Sequence, residues 1–292
     1  MKAFKDKVAV VTGAASGIGR GIAERCAKEG MKVVIADIEK EALSGAAKAL
    51  EAEGATILAV VTDVAKVADV EALARKTMDT FGEVHLLFNN AGVGGAGGAI
   101  WENTMADWQW VMGVNLWGVI HGIHTFVPIM LEQDVDCHIV NTASIFGLIA
   151  GPGTGIYKVT KQGVVAISET LHFELAMRES KINVSVLCPG AVNTGIVDSG
   201  RNRPSELQNE APEEELTPEM EQMHQMMLQV FKEGMPPNEA ADIVFRAIEN
   251  KQLYVLTHPE LKENFKIRAD NILHERNPEI MSMFDQLKPE GS

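Results

Sequence analysis

An alternation constrains this chain more than any other feature: short, unbroken apolar runs rich in Val, Ile and Leu trade places with longer amphipathic stretches. The runs are "KVAVVTG" (7–13), "MKVVIADI" (31–38), "TILAVVTDV" (56–64), "VHLLFNNAG" (84–92), "CHIVNTAS" (137–144) and "INVSVLCPG" (182–190). Between them, helical spacing marks residues 17–30, 39–54, 66–82, about 104–132 and about 155–179. Strands without polar alternation are buried on both faces, and strands separated by helices pair in parallel. The expected fold is α/β: a doubly wound parallel sheet flanked by helices, in one domain.

After Gly190 the alternation breaks. Residues 191–222 are polar, acidic and punctuated by prolines, so they read as a long loop. "PEMEQMHQMMLQVFKEG" then sets Met220, Met223, Met227 and Val230 on one helical face. That stripe is either core packing or an adaptable cover for an apolar ligand. A further helix ("PNEAADIVFRAIEN") and a last strand ("QLYVLTH") follow. The expected division is a domain over 1–257, with a substrate lid at about 193–235, and a charged tail over 258–292 that caps the site or a neighbouring subunit.

Composition narrows the partners. A net charge of −14 disfavours nucleic acid and anionic membrane surfaces, which demand basic patches. Cys26, Cys137 and Cys188 lie apart among apolar residues with no CxxC, as expected for reduced, buried thiols in a cytoplasmic protein. The N-terminus has no signal-peptide run, and no later stretch is expected to reach membrane-spanning length. His121 and His124 stand at i, i+3 without a third ligand, so no metal site is expected.

"TGAASGIG" (12–19) joins the first strand to the first helix. Gly13, Gly17 and Gly19 there permit a tight turn, room for a pyrophosphate and close helix–sheet approach, with Ser16 and Ile18 between them. The spacing is not the usual G-x-G-x-x-G, so the turn alone is open to a purely structural reading. Asp37 ends the second strand, twenty residues beyond Gly17, where an acid accepts hydrogen bonds from an adenosine ribose. Its charge repels a 2′-phosphate and so favours NAD over NADP, with Arg20 and Lys40 as candidate counterweights. Asp63, followed by Val64, is either a contact to an adenine amino group or a helix N-cap.

Six motifs in order resemble the short-chain dehydrogenases/reductases: "TGAASGIG", "NNAG" (89–92), "VNLWG" (114–118), "NTAS" (141–144), "YKVTK" (157–161) and "CPGAVNT" (188–194). The resemblance spans about 7–256. It implies a Rossmann-type fold, dimers or tetramers, and hydride transfer between a nicotinamide and an alcohol or carbonyl. It makes Tyr157 the catalytic acid/base, Lys161 its partner and ribose ligand, Ser144 the donor to the substrate oxygen, and Asn115 the holder of a relay water. Asn90 and Gly92 would line the nicotinamide side, and Thr194, after Pro189 and Gly190, would touch the carboxamide. Lys-Val-Thr after Tyr157 departs from the family's small-residue run, which alters packing but removes no catalytic group. The long lid and tail also look like family members that oxidise large aromatic alcohols.

The chemistry needs those residue types. A phenol ionises near pH 10, so lowering it by about three units takes roughly 4 kcal/mol. An ammonium about 4 Å away supplies ~1 kcal/mol in water but ~4 at an effective dielectric near 20. Lys161 therefore activates Tyr157 only where water is thinned. The substrate expected from Ile145, Phe146, Leu148 and the methionines is a bulky, apolar secondary alcohol or its ketone. The rival readings are an NADPH-dependent carbonyl or 3-oxoacyl reductase and a catalytically silent nucleotide-binding scaffold.

Overall fold

A computed structural model describes residues 1, 3–95, 97–210 and 218–279. Seven strands form one sheet: β1 (Val8–Thr12), β2 (Lys32–Asp37), β3 (Thr56–Val61), β4 (Leu86–Asn89), β5 (Cys137–Thr142), β6 (Ile182–Cys188) and β7 (Tyr254–Leu256). Their order is β3-β2-β1-β4-β5-β6-β7 and every pairing is parallel. The helices are α1 (Gly17–Lys28), α2 (Lys40–Ala52), α3 (Val67–Phe81), α4 (Met105–Met112), α5 (Gly118–Gln133), α6 (Gly155–Met177), α7 (Pro218–Lys232), α8 (Pro237–Asn250) and α9 (Lys262–Leu273).

The period-two direction of side chains in β1 explains the layers. Ala9 and Val11 face a core built with α1, α2 and α8, while Val8 and Val10 face one built with α3, α5 and α6. Both faces are therefore apolar, which is why the strands read as unbroken runs in the sequence. The doubly wound expectation holds. The order reverses between β1 and β4, and the crevice above the carboxyl ends of the strands at that reversal is where such sheets take ligands.

Three boundaries differ from the sequence expectation. The strand expected over 84–92 ends at Asn89, because Asn90 turns aside to bond the end of β1. The helix expected over 104–132 is interrupted by a π-turn at Gly113–Trp117. The polar stretch after Gly190 contains two short 3₁₀ turns, Gly195–Asn202 and Ser205–Leu207; residues 211–217 and 280–292 of the expected lid and tail lie outside the described residues.

One expectation is corrected. The continuous helical stretch Met105–Gln133, 29 residues, is long and apolar enough to cross a membrane by length and composition. The sequence reading missed this because polar Asn115 and His121 interrupt the run. In the fold this stretch covers the sheet instead, with Val119, Phe126, Val127 and Met130 buried.

Candidate active site

The turn between β1 and α1 has room for glycine alone at two positions. Gly17 has φ +54°, and a Cβ there would come within 2.9 Å of Thr194 Cγ2. A Cβ on Gly19 would meet the Gly13 carbonyl oxygen at 2.1 Å, so only glycine lets α1 lie this close to the turn. Ser16, at the helix N-cap, makes no side-chain capping bond, and no acid occupies the first turn. The positive end of α1 therefore has neither a side-chain cap nor an acid beside it.

Asp37 ends β2 beside this turn. Its Oδ2 accepts from the Ala15 N–H at 3.0 Å and its Oδ1 from the Glu39 N–H at 3.0 Å. Arg20 is not its counterweight, for it pairs with Glu24 at 2.7 Å. At the end of β3, Asp63 Oδ1 accepts from the Ala65 N–H at 3.1 Å, while Lys66 is the N-cap of α3. The N-cap alternative for Asp63 is therefore overturned: the carboxylate shapes the turn before the helix.

Thr12, which sequence reasoning passed over, ties β1 to the loop after β4. Its Oγ1 accepts from the Asn90 and Ala91 N–H groups at 2.9 and 3.1 Å, and the Asn90 side chain donates to the Thr12 carbonyl at 3.0 Å. Asn115, in the π-turn, is fully buried. Its Oδ1 accepts from the Val93 N–H at 2.8 Å and its Nδ2 donates to the Val93 carbonyl at 2.9 Å. The side chain clamps the chain beyond β4, so any water that Asn115 holds must use its main chain. π-turns inside helices collect at functional sites, but no periodicity in "VMGVNLWGVI" announces one.

Ser144 follows β5, and Tyr157 and Lys161 stand one turn apart on α6. Ser144 Oγ accepts from the Phe146 N–H at 3.2 Å and favours the ionised form of the Tyr157 phenol. Lys161 Nζ donates to the Thr142 carbonyl at 2.9 Å and lies 5.5 Å from the Tyr157 ring centroid. Burial pushes the phenol up to about 12, against the opposing pull of Ser144. Burial pushes the Lys161 ammonium down to about 8. The phenol therefore moves opposite to the activation expected from the sequence: desolvation by the protein exceeds what one committed ammonium returns.

One cavity of about 560 Å³ joins these parts. Gly13, Ser16, Gly17 and Ile18 line it at the turn, then Asp37, Asp63 and Val64, and then Asn90, Gly92, Tyr157, Lys161, Pro189 and Thr194. Gly19, Asn115, Ser144 and Gly190 are not among the residues that line it. Gly190 packs on His258, where a Cβ would meet the imidazole at 2.8 Å.

The segment 194–207 contributes the outer wall through Thr194, Gly195, Ile196, Ser199, Arg201, Asn202, Pro204, Glu206 and Leu207. It is fastened at three points. Ser199 Oγ accepts from the Gly94 N–H at 2.8 Å. Arg201 and Asn202 donate to Glu39 Oε1 at 2.7 and 2.8 Å. Arg203 donates to Asp107 Oδ1 at 2.6 Å and lies over the Trp110 ring. None of the described side chains of helix α7, the half-buried Met227 and Val230 among them, lines the cavity, and the side chains of Met220 and Met223 lie outside the described residues. His121 lines the cavity and bonds the Val64 carbonyl; no metal-holding group of three His, Cys, Asp or Glu occurs among the described residues.

The short chain dehydrogenase family model matches residues 7–204. The chain belongs to the short-chain dehydrogenases/reductases. A short-chain dehydrogenase/reductase from Burkholderia phymatum, solved in complex with NAD, is 44% identical with a TM-score of 0.92, over 97% of this chain and 100% of that one. A CLA biosynthesis dehydrogenase/reductase of Lactiplantibacillus plantarum is 35% identical over 97% of this chain and 99% of its own length. A C alpha-dehydrogenase of Sphingobium sp. is 32% identical over 91% and 85%. This short-chain dehydrogenase/reductase is thus an oxidoreductase whose sheet, turn and Ser-Tyr-Lys cluster share one crevice.

Proposed function

We propose that this protein is an NAD(H)-dependent oxidoreductase that interconverts a bulky, apolar secondary alcohol and its ketone. One observation carries the reading: Tyr157 and Lys161 line the same cavity as the glycine turn and Asp37, and Ser144 favours the ionised phenol. A cytoplasmic scaffold would need none of these three side chains.

The glycine turn and the start of α1 hold the pyrophosphate, and Asp37 the adenosine ribose. Asp63 and Val64 border the adenine, while Thr194 and Pro189 border the carboxamide. Lys161 holds the second ribose. NAD rather than NADP is supported by two carboxylates on the lining, Asp37 and Glu39, the latter already matched by Arg201. The Burkholderia phymatum relative also binds NAD. When bound, the nicotinamide takes or gives the hydride and in its oxidised form adds a positive charge.

Ser144 donates to the alcohol oxygen and orients it toward the Tyr157 hydroxyl. Tyr157 takes the hydroxyl proton in oxidation and returns it in reduction. Lys161 stabilises the phenolate, and Asn115 holds the relay water through its main chain. The segment 194–207 acts as the lid that thins water around these groups. Buried Ile145, Phe146 and Ile149 flank Ser144 and Tyr157, which supports an apolar substrate. One relative is a 1-deoxy-11-beta-hydroxypentalenate dehydrogenase, whose name carries a hydroxyl on its substrate.

Incubating the protein with NAD⁺ and a panel of secondary alcohols should raise the 340 nm absorbance of NADH most with aromatic or polycyclic members. NADPH binding much tighter than NADH in a fluorescence titration would reverse the cofactor assignment, and silence across the panel would remove the function. We also propose a homodimer or homotetramer. Trp117 on the π-turn and Val159, Phe173 and Met177 on α6 are exposed apolar side chains that a second copy would cover. Sedimentation equilibrium is expected to give a multiple of 31.7 kDa; a single monomeric species would reject the assembly.

A further inference from the structure

Glu39 stands at the N-cap of α2, yet its side chain makes no capping bond there. Its carboxylate turns instead to the segment that follows β6. Oε1 accepts from Arg201 Nη2 at 2.7 Å and from Asn202 Nδ2 at 2.8 Å. Those hydrogen bonds, that of Asn202 foremost, hold the carboxyl below its ordinary value, so it is ionised at neutral pH. The Glu39 N–H meanwhile donates to Asp37 Oδ1 at 3.0 Å. One short run of chain therefore joins Asp37 to a guanidinium 162 residues further on.

Arg201 has a second hold that does not involve Glu39. Its Nη1 donates to the Gly195 and Asp198 carbonyls at 3.2 and 2.9 Å, so the turn it belongs to fixes its own arginine head. Asp37, Glu39, Arg201 and Asn202 all line the cavity. Of the other basic side chains on that lining, Lys66 pairs with Asp63 at 3.2 Å, and Lys161 stands on α6 with Tyr157. Lys40 is exposed and off the lining. Arg201 is thus the cation held at the Asp37 end.

Stability gives this pair little reason to exist, since its side chains are 43% and 29% exposed and such pairs contribute little. Its consequence is electrostatic. A guanidinium beside an adenosine ribose is the group that accommodates a 2′-phosphate, which it can meet with two parallel N–H bonds. Here a carboxylate already occupies that head.

We propose that Glu39 is a specificity-determining residue that masks Arg201: the segment after β6 brings a 2′-phosphate ligand to the adenosine end of the cavity, and Glu39 neutralises it, so the site takes NAD(H) and refuses NADP(H). Discrimination then has two layers. Asp37 repels the phosphate directly, and Glu39 withholds the cation that would offset Asp37. The inference deepens the cofactor assignment above and rests on it.

Fluorescence titration of the full chain with NADH and with NADPH tests this without turnover. Wild type is expected to bind NADH about tenfold or more tightly than NADPH. Glu39→Gln keeps the length and one oxygen of the side chain but removes its charge. It should tighten NADPH binding about tenfold and change NADH binding less than about twofold; the NADH arm also reports that the variant folds. Adding Arg201→Ala to Glu39→Gln should abolish the gain and return NADPH to its wild-type affinity. A gain that survives in the double variant would mean that Glu39 acts by repulsion alone. No gain in Glu39→Gln would mean that Arg201 does not reach a 2′-phosphate, and equal tightening of both dinucleotides would make Glu39 only a fastening of the outer wall. Each of these overturns the inference and leaves the NAD(H) assignment standing. Failure of wild type to bind NADH would remove that assignment, and this inference with it.

Discussion

Tyr157→Phe is expected to lower turnover of any secondary alcohol by ~10²–10⁴, the usual range for losing a general acid–base group, with NADH affinity nearly intact. Phenylalanine keeps the ring that packs edge-on against Phe146 and removes only the hydroxyl. The energetics make that hydroxyl demanding to use. Bringing a phenol from about 12 to neutrality takes about five units, or ~7 kcal/mol at ~1.4 per unit. That value already includes the pull of Ser144, so closing the gap needs a further positive charge beside the phenol. Oxidation by wild type should therefore accelerate as pH rises from 7 toward 8 and level off above it, where Lys161 loses its charge, and the residual rate of Tyr157→Phe should be flat. Unchanged turnover in the variant would take Tyr157 out of the mechanism.

The sheet was legible because burial on both faces leaves no choice of pattern: β1, β2, β5 and β6 read as apolar runs since neither side of them meets water. The glycine turn was legible for a similar reason, as positive φ at Gly17 and a 2.1 Å approach at Gly19 admit no side chain. Other features depend on partners distant in sequence. The π-turn at Gly113–Trp117 is held by Asn115 bonding Val93, 22 residues away. The rise of the Tyr157 pKa reflects how completely the surrounding elements exclude water, which local spacing does not encode. Lys158 was visible only as part of the Lys-Val-Thr run that departs from the family's small-residue run, and its three acceptors, the carbonyls of Gly151, Pro152 and Gly153, carry no side-chain mark. The fastenings of 194–207 were the least legible, because Arg203 and Asp107 are 96 residues apart and each alone reads as an ordinary surface charge.

Those fastenings carry the second large effect. Arg203→Met is expected to weaken NADH binding up to about 100-fold and to speed NADH release, because it undoes a buried pair. The two side chains are 9% and 3% exposed. Asp107 also accepts from the Thr104 N–H at 2.8 Å, closing the capping box that starts α4, and from Asn209 at 3.0 Å. Burial alone would raise its pKa, but the hydrogen bonds from Thr104, Arg203 and Asn209 outweigh that and hold it below the usual carboxylate value. A depressed carboxylate contributes its full stabilisation above the unfolded value, about 4, and loses it only as pH falls through the lowered one. The pair should thus stay shut across neutral pH. Removing one partner of such a pair leaves a charge buried alone, which typically costs ~3–5 kcal/mol, and the 203–207 wall of the cavity loses its anchor. Arg201→Ala gives the contrast: its pair with Glu39 is 43% and 29% exposed, and exposed pairs are worth ~0–1 kcal/mol. Stopped-flow release of NADH, read by fluorescence, should rank Arg203→Met far above Arg201→Ala. The double variant Arg203→Met with Asp107→Asn removes the stranded charge, so it should regain thermal stability while NADH release stays fast. Release that returns to the wild-type rate along with stability would make the segment a structural brace and not a lid.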